Sequence, residues 1–241
     1  MIQEVGVRAV IQTARVLGIE TPLEYDYTIA LGSNGVKLFE FTRAYGAFAN
    51  GGFVVQPYSV ERVETSRGKV VYKAPKTKIS HQLSMNTAAE MTAMLKTVMS
   101  NGTGRAASIG KPAAGKTGTT DDNKDAYFVG YTPNIVTGVW VGNDDNTVMS
   151  KIVQGGTVPA LIWRDVMKVA TEPYGKAEFN YPEVQLIPFA AGSNVKIIGG
   201  DDNAEKPKEE EEKPVNLDDV TAVTPADVVK NANKKLSLIH I

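Results

Sequence analysis

Apolar positions in this chain change their period along its length. From Ile2 to Leu17 they recur at helical spacing, with Val5, Ala9, Val10, Ala14 and Leu17 on roughly one face. That spacing predicts one helix over 1–18, with Gly18 as its C-terminal cap. The pattern repeats over 36–50 through Phe41, Ala44, Tyr45 and Phe48, and Gly51-Gly52 marks its end. A third helix is predicted over 86–99, capped by Ser84 or Asn86 and stopped by Gly102-Thr103-Gly104. A fourth is predicted over 158–170. Between these the texture is that of strands. Segments 60–64 and 70–72 alternate on either side of Ser66-Arg67-Gly68, a hairpin signal. Segments 113–119, 125–131 and 135–142 are also strand-like. Only Asp121-Asp122-Asn123 and Thr132-Pro133-Asn134 mark the turns between them. Connections that short leave no room for a crossover, so these three strands are expected to pair antiparallel.

Beyond the fourth helix the pattern fades. Residues 173–198 read as an extension, and 199–241 as an acidic, proline-bearing disordered tail (EKPKEEEEKP). The last residues, 236–241 (LSLIHI), break abruptly from that tail. They read as a translated adaptor or as a short natural terminus, and carry no function either way. The opening helix has nothing before it to cap or cover it, so Met1 reads as an internal or artificial start.

Composition narrows the chemistry. The 241 residues suffice for one large domain, or for one domain with a tail, and 42% are hydrophobic, as in ordinary globular chains. A net charge of −1 gives no electrostatic argument for a nucleic-acid partner. The absence of cysteine removes disulfides, thiol catalysis and thiolate metal sites. The two histidines, His81 and His240, lie far apart, so neither a histidine triad nor a multi-histidine metal site is expected. No leader is visible, and no apolar run reaches the ~20 residues that a bilayer demands.

One string carries candidate chemistry: Gly110-Lys111-Pro112-Ala113-Ala114-Gly115-Lys116-Thr117-Gly118-Thr119-Thr120. Gly110 through Thr117 fits the phosphate-loop pattern G-x-x-x-x-G-K-T. That loop needs a buried strand before it and a helix N-terminus after it to hold phosphate. Here Thr103–Ser108 precedes the string, Gly118 and Thr119 start a helix poorly, and strand-like Tyr127-Phe128-Val129 follows. The same string contains a Lys-Thr-Gly box on a strand, as in penicillin-recognising serine enzymes. On that reading a peptide lies along the strand edge as an added strand. Gly118 lets its backbone approach, Lys116 supplies positive charge, and Thr117 and Thr119 offer hydroxyls to its terminal carboxylate. The Thr119 N–H is placed to face an oxygen that becomes negative during acyl transfer.

The box has company. Ala30-Leu31-Gly32-Ser33, residues 41–52 (FTRAYGAFANGG), Gly102-Thr103-Gly104 and residues 115–120 come first. Residues 125–133 (DAYFVGYTP), 139–144 (VWVGND), Gly155-Gly156 and Ile162-Trp163-Arg164-Asp165 follow in family order. From Val5 to about Ala170 the chain resembles the transpeptidase domain of class A, bifunctional, penicillin-binding proteins. The resemblance implies an α+β fold, an antiparallel sheet flanked by helices. Residues 1–172 would be the C-terminal part of that domain, with 1–52 from its helical region and 53–172 giving the sheet and closing helix. It implies D,D-transpeptidation of peptidoglycan stem peptides ending in D-Ala-D-Ala, acylation by β-lactams, and no cofactor or metal. Lys116 and Thr119 would be catalytic, with Thr117, Gly118 and Thr119 binding substrate. The parent would sit on the outer side of the plasma membrane, held by an N-terminal helix not present here, with other cell-wall synthesis proteins as possible partners.

The family's Ser-x-x-Lys and Ser-x-Asn boxes are not found in usable context, so the nucleophile is expected to be absent from this chain. Ser66-Arg67-Gly68-Lys69 falls in a turn, and Ser108-Ile109-Gly110-Lys111 precedes Pro112. Ser193-Asn194-Val195-Lys196 lacks a helical pattern, and Ser84-Met85-Asn86 reads as a helix cap. Upstream strands missing from the chain would leave its sheet with an unpaired edge. Trp140, Phe128 and Tyr127 read as packing residues, Asp144 and Asp145 as turn residues, and Asp125 as a turn cap.

Overall fold

The computed structural model describes residues 2–181. The opening apolar repeat forms two helices there, α1 (Ile2–Val5) and α2 (Val7–Val16). Between them Gly6 sits at φ 81, a conformation open to glycine and costly for any residue with a Cβ. This corrects the single helix expected over 1–18. Periodicity registers which positions are apolar, not whether one glycine leaves the right-handed region. The buried stripe accordingly begins at Val7 and ends at Leu17, while Val5 is exposed. Gly18 does close the helix. At φ 94 its N–H donates to the Arg15 carbonyl, and the Ile19 N–H reaches back to that of Ala14, both at 2.9 Å.

Helix α3 (Leu38–Ala49) carries the second repeat. Its Glu40 ties it to the segment after α2. One carboxylate oxygen accepts the Thr21 N–H at 2.8 Å, the Thr21 hydroxyl at 2.8 Å and the Glu20 N–H at 2.9 Å, while the other faces Lys37 at 3.4 Å. The Thr21 backbone bond first, then its hydroxyl, favour the ionised form over the cost of burial and hold the Glu40 carboxyl down at about 2.

Strand β1 (Phe53–Val55) leaves α3, and β2 (Arg62–Glu64) with β3 (Val70–Lys73) forms the expected hairpin. Strand β4 (Ile79–His81) returns to pair with β1, Phe53 opposite His81. The alternation pattern gave no sign of that pairing. Helix α4 (Met85–Ser100) is capped by Ser84, whose Oγ accepts the Thr87 N–H at 3.0 Å. The expected three-strand meander follows as β5 (Ala114–Thr119), β6 (Asp125–Tyr131) and β7 (Val136–Gly142), antiparallel and in sequence order. Helix α5 (Val158–Ala170) has the bounds expected for it.

Directly opposite residues share a sheet face, so the register decides what each face buries. Phe128 and Val139 are paired and face α5, where Trp163, Met167 and Ala160 close the core with Met99 and Ala107. The Trp163 Nε1–H donates to the Thr137 carbonyl at 3.1 Å and to that of Gly130 at 3.3 Å. Ala114, Tyr131 and Val136 line the other face, under Leu95 of α4 and Tyr45 and Phe48 of α3. The fold is therefore a mixed one, an antiparallel sheet with helices on both faces. Among the described residues no helix is long and apolar enough to cross a membrane. The acidic tail over 199–241, its ending at 236–241 and the Ser193–Lys196 string lie outside the described residues, as does most of the extension over 173–198.

The Glu40 contacts make a pH-dependent prediction. A carboxyl depressed in the fold stabilises it above its ordinary value near 4.5, and that stabilisation disappears as pH falls through about 2. Glu40→Gln is expected to lower the melting temperature at neutral pH. The gap from the parent chain should narrow as pH drops across that window. Parallel melting curves at every pH would refute the assignment.

Candidate functional site

Among the described residues, strand β5 is hydrogen-bonded on one side only. At the end of the β5–β6 hairpin the Thr120 N–H donates to the Asp125 carbonyl at 3.0 Å. In an antiparallel ladder such bonded pairs recur every second residue. With Gly118 opposite Tyr127 and Lys116 opposite Val129, Lys116 and Gly118 turn their backbone groups toward β6. Thr117 and Thr119 turn theirs to the open edge. The Thr120 side chain locks this phase, its Oγ1 accepting the N–H groups of Lys124 at 3.0 Å and Asp125 at 2.9 Å.

Lys116 is exposed, and its ammonium donates to the Thr117 carbonyl at 2.8 Å, which puts positive charge at the open edge. Thr117 is half-buried, with its hydroxyl 2.6 Å from that of Thr103 in the loop after α4. Gly118 leaves open space, since a Cβ there would meet only Tyr127, at an ordinary 3.6 Å. Thr119 is exposed, and its Oγ1 accepts the Gly155 N–H at 2.9 Å. The four residues singled out from the sequence thus form one short open edge bearing an ammonium, two hydroxyls and a free N–H.

Two glycines press against the face of this strand from the loop before α5. A Cβ at Gly155 would stand 2.5 Å from the carbonyl oxygens of both Gly118 and Tyr127, and one at Gly156 would stand 2.5 Å from that of Thr103. Only bare backbone lies this close to a strand. Gly155 and Gly156 drew notice in the sequence only as a stretch that resembles a family, and Thr103 otherwise only as part of a helix stop and of the segment before the Lys-Thr-Gly string. No local pattern marks them, because their partners lie 14 and 36 residues away.

The phosphate-loop alternative is corrected by the same geometry. Gly115, Lys116 and Thr117 lie within an extended strand, which turns at 120–124 into β6. No helix N-terminus follows to receive a phosphate. Ser66 lies in the turn between β2 and β3, and Ser108 follows a single 3₁₀ turn (Arg105–Ala107), so neither Ser-x-x-Lys string is helical. Ser84 is a cap, as expected. Phe128 is buried, while Tyr127 and Trp140 pair on the opposite face with Trp140 exposed. Asp125 does not cap a turn with its carboxylate. It accepts the Trp140 Nε1–H across the sheet at 2.9 Å, and Thr120 holds the turn instead. Asp145 accepts from the hydroxyl and N–H of Thr147 in the turn after β7, and these bonds lower its pKa.

Fold and edge together define a mixed α/β domain with a strand open for pairing by an extended peptide. The penicillin-binding protein transpeptidase domain matches residues 19–168, and the chain belongs to that family. It is 35% identical over 198 residues to Penicillin-binding protein 1A of Aquifex aeolicus, covering 78% of this chain and 26% of that protein. It is 30% identical over 220 residues to Penicillin-binding protein 1A of Rickettsia prowazekii, covering 82% of this chain and 27% of that protein. These names agree with the class A resemblance. The chain spans about a quarter of the length of these curated relatives. Among solved structures it is similar to Penicillin-Binding Protein 1A from Haemophilus influenzae, with a TM-score of 0.68, 26% identity, and coverage of 76% of this chain and 33% of that one. It is also similar to PonA1 from Mycobacterium tuberculosis in complex with penicillin V, with a TM-score of 0.63, 26% identity, and coverage of 73% and 52%.

The glycine contacts predict an asymmetry. Gly155→Ala drives a methyl into two backbone carbonyls and is expected to destabilise the fold by about 1–3 kcal/mol, the usual cost of overpacking. Urea unfolding measures it. An unchanged midpoint would show that the loop is not seated on β5.

Proposed function

We infer that this chain supplies the substrate-aligning strand of a peptidoglycan D,D-transpeptidase. The observation that carries the reading is the open β5 edge, with the ammonium of Lys116 and the hydroxyls of Thr117 and Thr119 around a free Thr119 N–H. A stem peptide ending in D-Ala-D-Ala adds to this edge as a strand. Its terminal carboxylate meets the two hydroxyls and the lysine charge. A serine attacks the penultimate D-Ala carbonyl, and the developing oxyanion takes the Thr119 N–H. D-Ala leaves with a proton, and an amine of a neighbouring stem peptide then takes the acyl group and releases the serine. A β-lactam, with its carboxylate and strained amide, occupies the same edge and acylates the same serine. In this reading Lys116 and Thr119 touch the reacting groups, while Thr117 and Gly118 align the substrate. The transpeptidase domain that matches this chain, and relatives named as penicillin-binding proteins, support this chemistry, and with it a place in the cell envelope.

The nucleophile, on this reading, belongs to sequence outside this chain. Neither Ser66 nor Ser108 lies on a helix that would bring a lysine one turn away onto its own face. Incubation with a fluorescent penicillin is expected to leave no covalent label on this chain and to label the full-length protein. A stable adduct on any serine here would overturn the assignment. Gly118→Ala separates recognition from folding, because its Cβ fits the fold but stands where a ligand backbone must pass. In the full-length protein it is expected to slow acylation about tenfold or more, equivalent to about 1.4 kcal/mol, with melting almost unchanged. Undiminished acylation would argue against edge binding.

A further inference from the structure

We propose that Thr103 and the Gly155 N–H are positioning groups. The Gly155 N–H fixes Thr119 as an outward donor, and Thr103 lets Thr117 become one when an anion arrives, which makes this edge selective for a carboxylate. The inference rests on the peptide-edge reading above and adds two groups that it does not use. A threonine hydroxyl has one proton to give and lone pairs to receive with. An N–H can only give. Because the Gly155 N–H donates to Thr119 Oγ1, that contact leaves the Thr119 proton unspent. Among the described residues no hydrogen-bond acceptor is paired with it, and the residue is exposed at the open edge. The Gly155 backbone cannot rotate to reverse this. Packed within 2.5 Å of the Gly118 and Tyr127 carbonyls at the position a Cβ would take, it is held by its own lack of a side chain.

Thr117 presents the same question with two possible answers. Its hydroxyl stands 2.6 Å from that of Thr103, and either oxygen can be the donor. If Thr117 donates, its proton is used up inside the protein. If Thr103 donates, Thr117 is free to donate outward. A carboxylate has no proton and accepts only, so its arrival selects the second arrangement. Charged acceptors also form the stronger bonds, roughly twice the strength of neutral ones. An ester or amide at the same place offers a neutral acceptor and a weaker pull. The edge then presents two outward hydroxyl protons and the Lys116 ammonium to a single anionic group. Thr103 is exposed and packs no core, so it can be replaced without opening a cavity.

The test compares acylation rates of the full-length protein by benzylpenicillin and by its methyl ester, which differ only in the carboxylate. The unmodified protein should prefer the acid. In Thr103→Val and Thr103→Ala the Thr117 hydroxyl keeps its proton but loses the donor that orients it, and the acid-to-ester ratio should fall by about three- to tenfold, a fraction of one charge-assisted hydrogen bond. Thr103→Ser keeps the hydroxyl and should restore the ratio. Melting temperatures of all three variants should match the parent. A ratio unchanged in Thr103→Val and Thr103→Ala, or equal slowing toward both compounds, would overturn the proposal by showing a role in packing alone. If the unmodified protein shows no preference for the acid, the edge reading itself fails, and Thr103 is not at issue.

Discussion

Everything at the candidate site depends on the register of β5 against β6. The side-chain period of a strand is two, so a slip by one residue exchanges its faces. Here it would put Lys116 where Thr117 stands and turn the Thr119 N–H into the sheet. Thr120 is the device against that slip. It forms the last ladder bond to Asp125 and receives two further N–H groups on its hydroxyl. Burial adds a second lock. Ala113 packs in the core with Trp163 and Ala114 in the one with Leu95, so a slip of β5 would carry each to the wrong face.

How much of this could be read from sequence follows from distance along the chain. The meander was legible because its signals are local, with short alternating segments, turn residues between them and too few residues for a crossover. Helix α5 and the Ser84 cap were legible for the same reason. The helical period failed at Gly6, where one residue's freedom to take φ 81 cut a continuous apolar stripe. The β1–β4 pair escaped notice because three residues at each end, joined across a hairpin, carry no pairing signal of their own. At the site, the strand bearing Lys116 to Thr119 was legible from the box and its context. The contacts that hold it in place, Thr103 to Thr117 and Gly155 to Thr119, were not, since long-range approach leaves no periodic trace.

An open strand edge is a hazard as well as a binding site, because any extended chain can pair with it. A charged side chain on such an edge is a usual defence. Lys116 meets that need and the chemical one together. With no ligand its ammonium covers the Thr117 carbonyl, an edge acceptor that a stray strand would otherwise use. A ligand with a terminal carboxylate can draw the ammonium away by offering a better partner, a full negative charge in place of a neutral oxygen. A strand without such a terminus offers no exchange and meets a strongly hydrated cation. On the proposed reading, a preference for chain ends over chain interiors begins at the edge itself, with Lys116. That is the reason a lysine, and not a second threonine, suits the position beside Thr117.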